Sequence, residues 1–281
     1  MGRKREEAAS KTESMLLCPK CGKSLDIQER VMVCPARHSY DISAQGYVNL
    51  LLSGKSGDGI GDGREMIAAR RAFLDAGYYK PLAKAVCQKV AAMMGGGASI
   101  RLLDAGCGEG YYTRAVEKSL PQGSRVVGID ISRHGCLSAA KRDQNSLYVT
   151  ASASAMPVAT GWADVILSLF APAFGAEFRR VLAPGGKVLQ VAPGRNHLLQ
   201  LKEAVYEKAY PNREDKHLLE GFTLASSTRL EYEATLENNA HIRQLFAMTP
   251  YFFRTPREEV KRLEALEQIC VTLDFLLLEF H

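Results

Sequence analysis

The 281-residue chain has no uninterrupted apolar run of the ~18 residues that a membrane-spanning helix needs, which excludes a transmembrane segment. Residues 1–10 carry basic side chains with no apolar stretch behind them, so no secretory leader is read and a cytoplasmic location is expected. No charge sign dominates: 36 Lys and Arg stand against 31 Asp and Glu, a net +5 without a polybasic tail. That balance permits a nucleic-acid partner without demanding one. Nor are the seven cysteines spread as in a disulfide-stapled secreted domain; three fall within seventeen residues and four are isolated. A hydrophobic fraction of 46% with 24% charge excludes disordered and collagen-like chains and leaves ample material for a core. Residues 1–13 alternate charge with small polar side chains and read as a disordered lead-in.

The clustered cysteines sit in Cys18-Pro-Lys-Cys21-Gly and Cys34-Pro-Ala-Arg-His38. Two ligands separated by two residues in a tight turn can face one ion, and a second such turn completes a tetrahedron. Three thiolates and one imidazole suit zinc, and four protein ligands leave no open position for metal catalysis. Residues 25–33 read as a short strand pair between the two turns. A module of this size buries too little to fold alone, so the metal is expected to replace the missing core. On this reading loss of one ligand unfolds the module and leaves the remainder compact.

Beyond residue 50 comes a stretch in which five of ten residues, 54–63, are glycine, either a passive linker or a loop that orders over substrate. Arg64 to Ala76 reads as a helix with Met66, Ile67, Phe73 and Leu74 buried, stopped by Gly77. A second helix is predicted from Pro81 to about Met94. From residue 100 short apolar runs at 100–103, 126–129, 147–149, 165–169 and 187–191 alternate with helical segments near 110–119, 133–143, 175–182 and 196–208. Such alternation predicts an α/β, doubly wound, Rossmann-like parallel sheet, with 222–234 and 268–280 as antiparallel edge strands.

The first of these strands ends in Asp104-Ala-Gly106-Cys-Gly108-Glu109-Gly110. A dinucleotide fingerprint would need its third glycine at position 111, which is Tyr. The G-x-G-x-G pattern behind an acid instead resembles motif I of S-adenosylmethionine-dependent methyltransferases. Asp130 at the end of the second strand is placed to accept hydrogen bonds from ribose hydroxyls. Ser152 lies in the loop after the third strand, where an adenine edge would lie in that class, and Pro184-Gly185-Gly186 also fits the pattern.

Taken with the Cys3His turns, Tyr47-Val-Asn-Leu-Leu, Arg70-Arg-Ala-Phe-Leu-Asp-Ala-Gly-Tyr-Tyr79 and the glycine turn, the chain resembles the bacterial 23S rRNA (guanine-N1)-methyltransferases, a family that includes tylosin-resistance enzymes. The resemblance runs from about residue 16 to the C-terminus and takes in Pro193-Gly-Arg-Asn-His197, Leu219-Glu-Gly-Phe-Thr223 and Met248-Thr-Pro-Tyr-Phe252. It implies methyl transfer from S-adenosylmethionine to guanine N1 in a stem-loop of 23S rRNA, a structural zinc, and a homodimer. It also implies cofactor contacts from Tyr79, Gly108 with Glu109, and His197. From the residues alone, Tyr79 could equally pack its helix on the sheet, and His197 could be an ordinary residue at a helix start. Leu169-Phe-Ala-Pro172 lacks the Asn/Asp-Pro-Pro-Tyr cluster of exocyclic-amine methyltransferases.

The expected organisation is a lead-in at 1–13, a zinc module at 14–50, a glycine-rich linker and helical connector at 51–95, and the methyltransferase domain at 96–281. Tyr251, Phe252 and Phe253 are candidates for base stacking or for ordinary packing. Lys20, Lys23, Arg30, Arg37, Arg64, Arg70 and Arg71 are candidates for phosphate contact or a solvated face. Cys87, Cys107, Cys136 and Cys270 read as small apolar fillers. If the module only holds RNA, removing residues 1–45 abolishes rRNA methylation and spares cofactor binding. A small-molecule methyltransferase and a non-catalytic, cofactor-sensing RNA-binding protein are the competing readings, and no group that removes the N1 proton is identifiable.

Overall fold

In the computed structural model, residues 15–52, 61–95, 97–214 and 218–281 are described. The lead-in and most of the glycine-rich stretch lie outside them. The first described segment forms a hairpin, β1 (Asp26–Gln28) with β2 (Val31–Val33), to which β3 (Ser39–Asp41) adds an antiparallel third strand. The residues 25–33 pair is therefore present as read. After β3 the chain turns through Gly46 into β4 (Tyr47–Asn49), which leaves this small sheet and pairs in parallel with the edge of a larger one.

Helices α1 (Arg64–Ala76) and α2 (Lys80–Met93) follow, α1 ending where Gly77 takes a left-handed φ of 94° and returns its N–H to Leu74. Ile67, Phe73 and Leu74 are buried as expected, whereas Met66 is only half-buried. The five apolar runs become β5 (Arg101–Ala105), β6 (Arg125–Asp130), β7 (Leu147–Thr150), β8 (Ala163–Leu169) and β9 (Leu182–Pro193), all parallel. Between and after them stand α3 (Tyr111–Glu117), α4 (Arg133–Arg142), α5 (Gly175–Val181) and α6 (Leu199–Val205). The C-terminal part supplies β10 (Leu224–Leu236), α7 (Asn239–Ala247), α8 (Arg257–Glu264) and β11 (Ile269–Phe280).

The large sheet has the order β10-β11-β9-β8-β5-β6-β7-β4, with β11 antiparallel to both β9 and β10. Strand order reverses at β5, whose neighbours are β6 and β8. In open sheets of this kind the crevice beyond the carboxyl ends at such a switch point is where ligands bind. Here the residues facing it are the glycine turn after β5, the end of β6 and the loop after β8.

Side chains alternate across the sheet, so Leu102 and Leu103 enter different cores. Leu102, Val165 and Val191 join Phe73, Leu82 and Val86 from α1 and α2 on one face. On the other, Leu103, Val127, Ile129 and Val149 join Met15, Leu16, Leu25, Met32, Val48 and Leu50 from the N-terminal segment. The Cys/His module thus packs on one face of the sheet and shares its core. Leu16 bridges to Val158, and Trp162, the single tryptophan, lies in the same buried cluster.

Leu16→Ala should cost about 2–5 kcal/mol, the usual range for emptying a fully buried leucine site. The loss should appear as one urea transition, displaced equally in far-UV circular dichroism and in Trp162 fluorescence. A separate early phase that leaves the Trp162 transition in place would mean that the module folds on its own.

Candidate active site and metal centre

Gly22 closes the first cysteine turn with a φ of 70° and an N–H bond of 2.8 Å to the Cys18 carbonyl. Arg37 turns the second, donating to the Cys34 carbonyl at 2.8 Å, while the Cys34 N–H reaches the His38 carbonyl at 3.0 Å. These turns bring one donor atom each from Cys18, Cys21, Cys34 and His38 within 4.8 Å of one another. Nδ1 of His38 lies 3.4 Å from the Cys18 sulfur and 3.5 Å from that of Cys34, and the Cys21 and Cys34 sulfurs are 3.6 Å apart. Zn–S bonds of about 2.3 Å and Zn–N bonds of about 2.0 Å generate tetrahedral edges of roughly 3.5–3.8 Å, so the donor set fits that ion. Burial opposes ionisation of Cys18, but the Tyr40 hydroxyl at 3.2 Å and the N–H groups of Lys20 and Cys21 outweigh it, lowering its thiol to about 6.

At the switch point, Gly106, Gly108 and Gly110 all have positive φ. A Cβ at Gly106 would lie 2.4 Å from that of Ala171, and one at Gly110 would meet Ala139 of α4 at 2.8 Å. Only glycine therefore lets the turn pass between the loop after β8 and α4. Asp104 is buried beneath it. Its Oδ2 accepts from Thr113 at 2.6 Å, its Oδ1 has no partner, and burial raises the carboxyl to about 7. Asp130 accepts from the N–H of Gly108 at 2.8 Å and from that of Ser132 at 2.7 Å, which fixes its carboxylate at the end of β6. The Ser152 loop is tied to the same strand end, the Ala151 N–H donating to the Asp130 carbonyl at 3.0 Å. Ser152 itself bonds Ser154 at 2.8 Å.

Glu109 points away from this crevice. Its carboxylate is buried against Arg142 at 2.6 Å, and Arg142 reaches Asp75 of α1 at 2.7 Å. Burial pushes the Glu109 carboxyl up against the pull of Arg142, and one oxygen of Glu109 remains without a partner. Arg70 of α1 pairs with Asp62 at 2.5 Å and lies beside Gly108, so α1 closes over the glycine turn.

Tyr79 and His197 belong to an aromatic group next to that crevice. Phe275 of β11 touches both, with ring centroids 5.2 Å from Tyr79 and 4.8 Å from His197. Phe170, directly after β8, lies 5.8 Å from Phe275 and 6.5 Å from both His197 and Tyr112. His197 is held from β11: its Nδ1 accepts the Asp274 N–H at 3.3 Å, which leaves the ring proton on Nε2. Burial lowers its pKa to about 4, so the ring is neutral at physiological pH. The Asp274 carboxylate, fully buried, also takes the Asn196 N–H at 2.9 Å and pairs with Arg229.

The proposed cofactor residues thus fall into a polar cradle (Asp104, Gly106, Gly108, Gly110, Asp130, Ser152) and an aromatic group (Tyr79, His197), while the side chain of Glu109 braces α4. Sequence reading did not single out Arg142, Phe275 or Asp274, and met Phe170 only within the Leu169–Pro172 segment. Only Asp274 carried a signal, as an acid within an otherwise apolar strand. Of the basic candidates, Lys20, Lys23, Arg30, Arg37 and Arg64 are exposed, but Arg70 serves Asp62 and Arg71 bonds Ser138 at 3.2 Å. Phe252 and Phe253 are exposed, whereas Tyr251 packs half-buried under Lys202. Cys107 and Cys136 are buried fillers; Cys270 is exposed, contrary to expectation.

A family profile described as "Methyltransferase domain" matches residues 103–190, and one described as "RlmA, N-terminal", a zinc ribbon, matches residues 16–53. A solved structure from Anaeromyxobacter dehalogenans, titled provisionally as a type II methyltransferase, superposes with a TM-score of 0.50 at 21% identity, covering 69% of this chain and 94% of that one. Fold and site together define an S-adenosylmethionine-dependent methyltransferase carrying a structural zinc module.

Among curated proteins, YxjB of Bacillus subtilis, provisionally named a 23S rRNA (guanine-N(1)-)-methyltransferase, is 30% identical over 93% of this chain and 95% of its own length. The 23S rRNA (guanine(748)-N(1))-methyltransferase of Streptomyces fradiae is 28% identical over 92% of this chain and 95% of its own. The chain belongs to the 23S rRNA (guanine-N1)-methyltransferase family.

Elemental analysis should find one zinc per chain, and Cys21→Ala should lose it and lower the melting temperature of the whole protein. A Cys21→Ala protein that retains stoichiometric zinc overturns the four-ligand assignment.

Proposed function

We propose that this enzyme methylates N1 of a guanine in a stem-loop of 23S ribosomal RNA. The observation that carries this reading is the joining, in one buried core, of a Cys3His ribbon to a methyltransferase cradle, in a chain that aligns over 92–93% of its length with the named relatives. Among the described residues no helix is long and apolar enough to cross a membrane, in keeping with a cytoplasmic enzyme. The homodimer implied by the family belongs to the same reading.

When bound, S-adenosylmethionine would supply an electrophilic methyl group on its sulfonium sulfur for exchange with the proton of guanine N1. The residues present fit that group, because Asp104 Oδ1 is a buried acceptor without a partner and suits an ammonium. Asp130, fixed by two backbone N–H groups, accepts the ribose hydroxyls, and the glycine turn admits the cofactor backbone closely. Tyr79 and the Nε2–H edge of neutral His197 meet the cofactor from the aromatic side. The enzyme's share of the rate is alignment of nucleophile and methyl with exclusion of water, since the donor is already activated.

Labelled methyl groups should enter 23S rRNA from unmodified ribosomes, and primer extension should stop at a guanine, because N1 methylation blocks pairing. Incorporation only into small molecules would replace this reading with a small-molecule methyltransferase.

A second expectation comes from Asp104. Its carboxyl titrates near 7 in the free protein because burial favours the protonated form, whereas a bound ammonium favours the carboxylate. Cofactor binding must then expel a proton below pH 7, and Kd should rise by up to about tenfold per unit as pH falls from 7 to 5.5. Asp104→Asn should flatten that slope in calorimetric titrations. A pH-independent Kd in the unsubstituted enzyme would remove Asp104 from this role.

A further inference from the structure

The loop after β9 carries His197, and the next residue, Leu198, lies at a φ of 56° while only 3% exposed. A bulky L-residue in the left-handed region is strained and persists where surrounding contacts impose it. Here the peptide unit between His197 and Leu198 is gripped at both ends. Its N–H donates to the Thr272 carbonyl of β11 at 2.9 Å, and its C=O accepts from the Asn212 side chain at 3.1 Å. Rotation of this unit changes ψ of His197 and φ of Leu198 together, so whatever grips it also aims the His197 ring.

Asn212 holds the rest of the loop as well. Its Nδ2 donates to the Gly194 carbonyl at 2.9 Å, and its backbone N–H donates to the Arg195 carbonyl at 2.9 Å. The Arg195 N–H in turn reaches the Glu214 carboxylate at 2.7 Å. The chain that has left α6 thus doubles back beside residues 194–197 and splints them.

The splint is fastened by Lys202 of α6. Its Nζ donates to Oδ1 of Asn212 at 2.6 Å and to the Tyr210 carbonyl at 3.1 Å, and lies 5.3 Å from the centre of the Tyr251 ring. Lys202 is 7% exposed, and no carboxylate among the described residues pairs with it. A cation buried on neutral oxygens and a π-face costs desolvation that an apolar side chain would avoid. What it achieves here is orientation: with Oδ1 turned to Lys202, the two Nδ2 hydrogens must face the loop carbonyls.

We propose that Lys202 and Asn212 are positioning residues for methyl transfer. Lys202 orients the Asn212 amide, and Asn212 fixes the His197–Leu198 peptide so that the His197 ring is presented to the cofactor. Both residues act through His197. Asp274 holds the ring at Nδ1, and Asn212 holds the backbone that carries it. The proposal rests on the cofactor contact given to His197 above.

The test uses the full-length enzyme and its Asn212→Ala, Lys202→Met and His197→Ala variants, with the Kd of S-adenosylmethionine by calorimetry and the His197 tautomer by nitrogen NMR. The unsubstituted protein should show a single Nε2–H tautomer. Asn212→Ala and Lys202→Met should each raise Kd about tenfold, the ~1.4 kcal/mol expected when one or two hydrogen bonds are lost, and should mix the tautomers as the Asp274 contact loosens. In the His197→Ala background, Asn212→Ala should add no more than about twofold, because its effect travels through the missing ring. A further loss of about tenfold in that background overturns the proposal. So does either a parental His197 signal or a parental Kd in Asn212→Ala, even where the melting temperature falls. A Lys202→Met protein that matches the parent in both readouts overturns the part given to Lys202. If His197→Ala alone binds cofactor like the parent, the His197 contact is refuted, while the tautomer in Asn212→Ala still judges the splint.

Discussion

The metal module and the cofactor loop share backbone hydrogen bonds, and much of the structure depends on that seam. The Leu17 N–H reaches the Pro157 carbonyl, the Ala159 N–H reaches Met15, and the Leu50 N–H reaches Thr150, each at 2.9 Å. Thr150 and Pro157 bound the loop that carries Ser152, and Leu17 precedes the first metal ligand. A module this small cannot bury enough surface to stand alone, so it borrows a face of the sheet. The sheet in turn receives a cover for Leu103, Val127, Ile129 and Val149. Zinc binding is folding free energy for such a module, and here part of that free energy is transmitted to the loop after β7.

A second constraint is electrostatic. Asp104, Asp130 and Glu109 cluster around the glycine turn, Glu109 on the side away from the crevice, with little water to solvate them, and an unanswered buried carboxylate is costly. Each is answered differently: Asp130 by two backbone N–H groups, Glu109 by Arg142, and Asp104 by Thr113 on one oxygen only. One oxygen of Asp104 and one of Glu109 are left without a partner. At Asp104 Oδ1 neither a backbone amide nor a fixed cation answers the charge, and this is the atom assigned to the cofactor ammonium in the function proposed above.

How much of this was legible in sequence follows from how local each feature is. The five parallel strands declared themselves as apolar runs, since strands covered on both faces need no polar alternation. The glycine turn and the four metal ligands are fixed by neighbours a few residues away, and they were found. Strand β4 was missed because three residues ending in Asn49 carry no strand signature; their pairing with β7 is about a hundred residues distant. Helices α7 and α8 were missed for lack of a long apolar stripe. The Arg142–Glu109 pair and the Asp274–His197 bond span 33 and 77 residues, beyond any local pattern. The packing of the module on the sheet was hidden for the same reason: nothing within residues 15–50 reveals that Leu16 and Val48 pack on another element.

That division between local and distant features is also a division of chemical labour. The cradle comes from one strand–turn–helix and the next strand end, so its chemistry is written in consecutive residues and is common to a whole class of enzymes. The aromatic group is assembled from the turn before α2, from α3, the loop after β8, the loop after β9 and strand β11, five places in the chain. None of its members predicts the others. Methyltransferases that share a donor differ in what they methylate, so acceptor choice must reside in parts that can vary without disturbing the cradle. In this fold the loops after β8 and β9, braced by the antiparallel β11, stand outside the cradle. Phe170, His197 and Phe275 meet there because β11 is inserted between β9 and β10, which carries Phe275 beside the carboxyl ends of strands that run the other way.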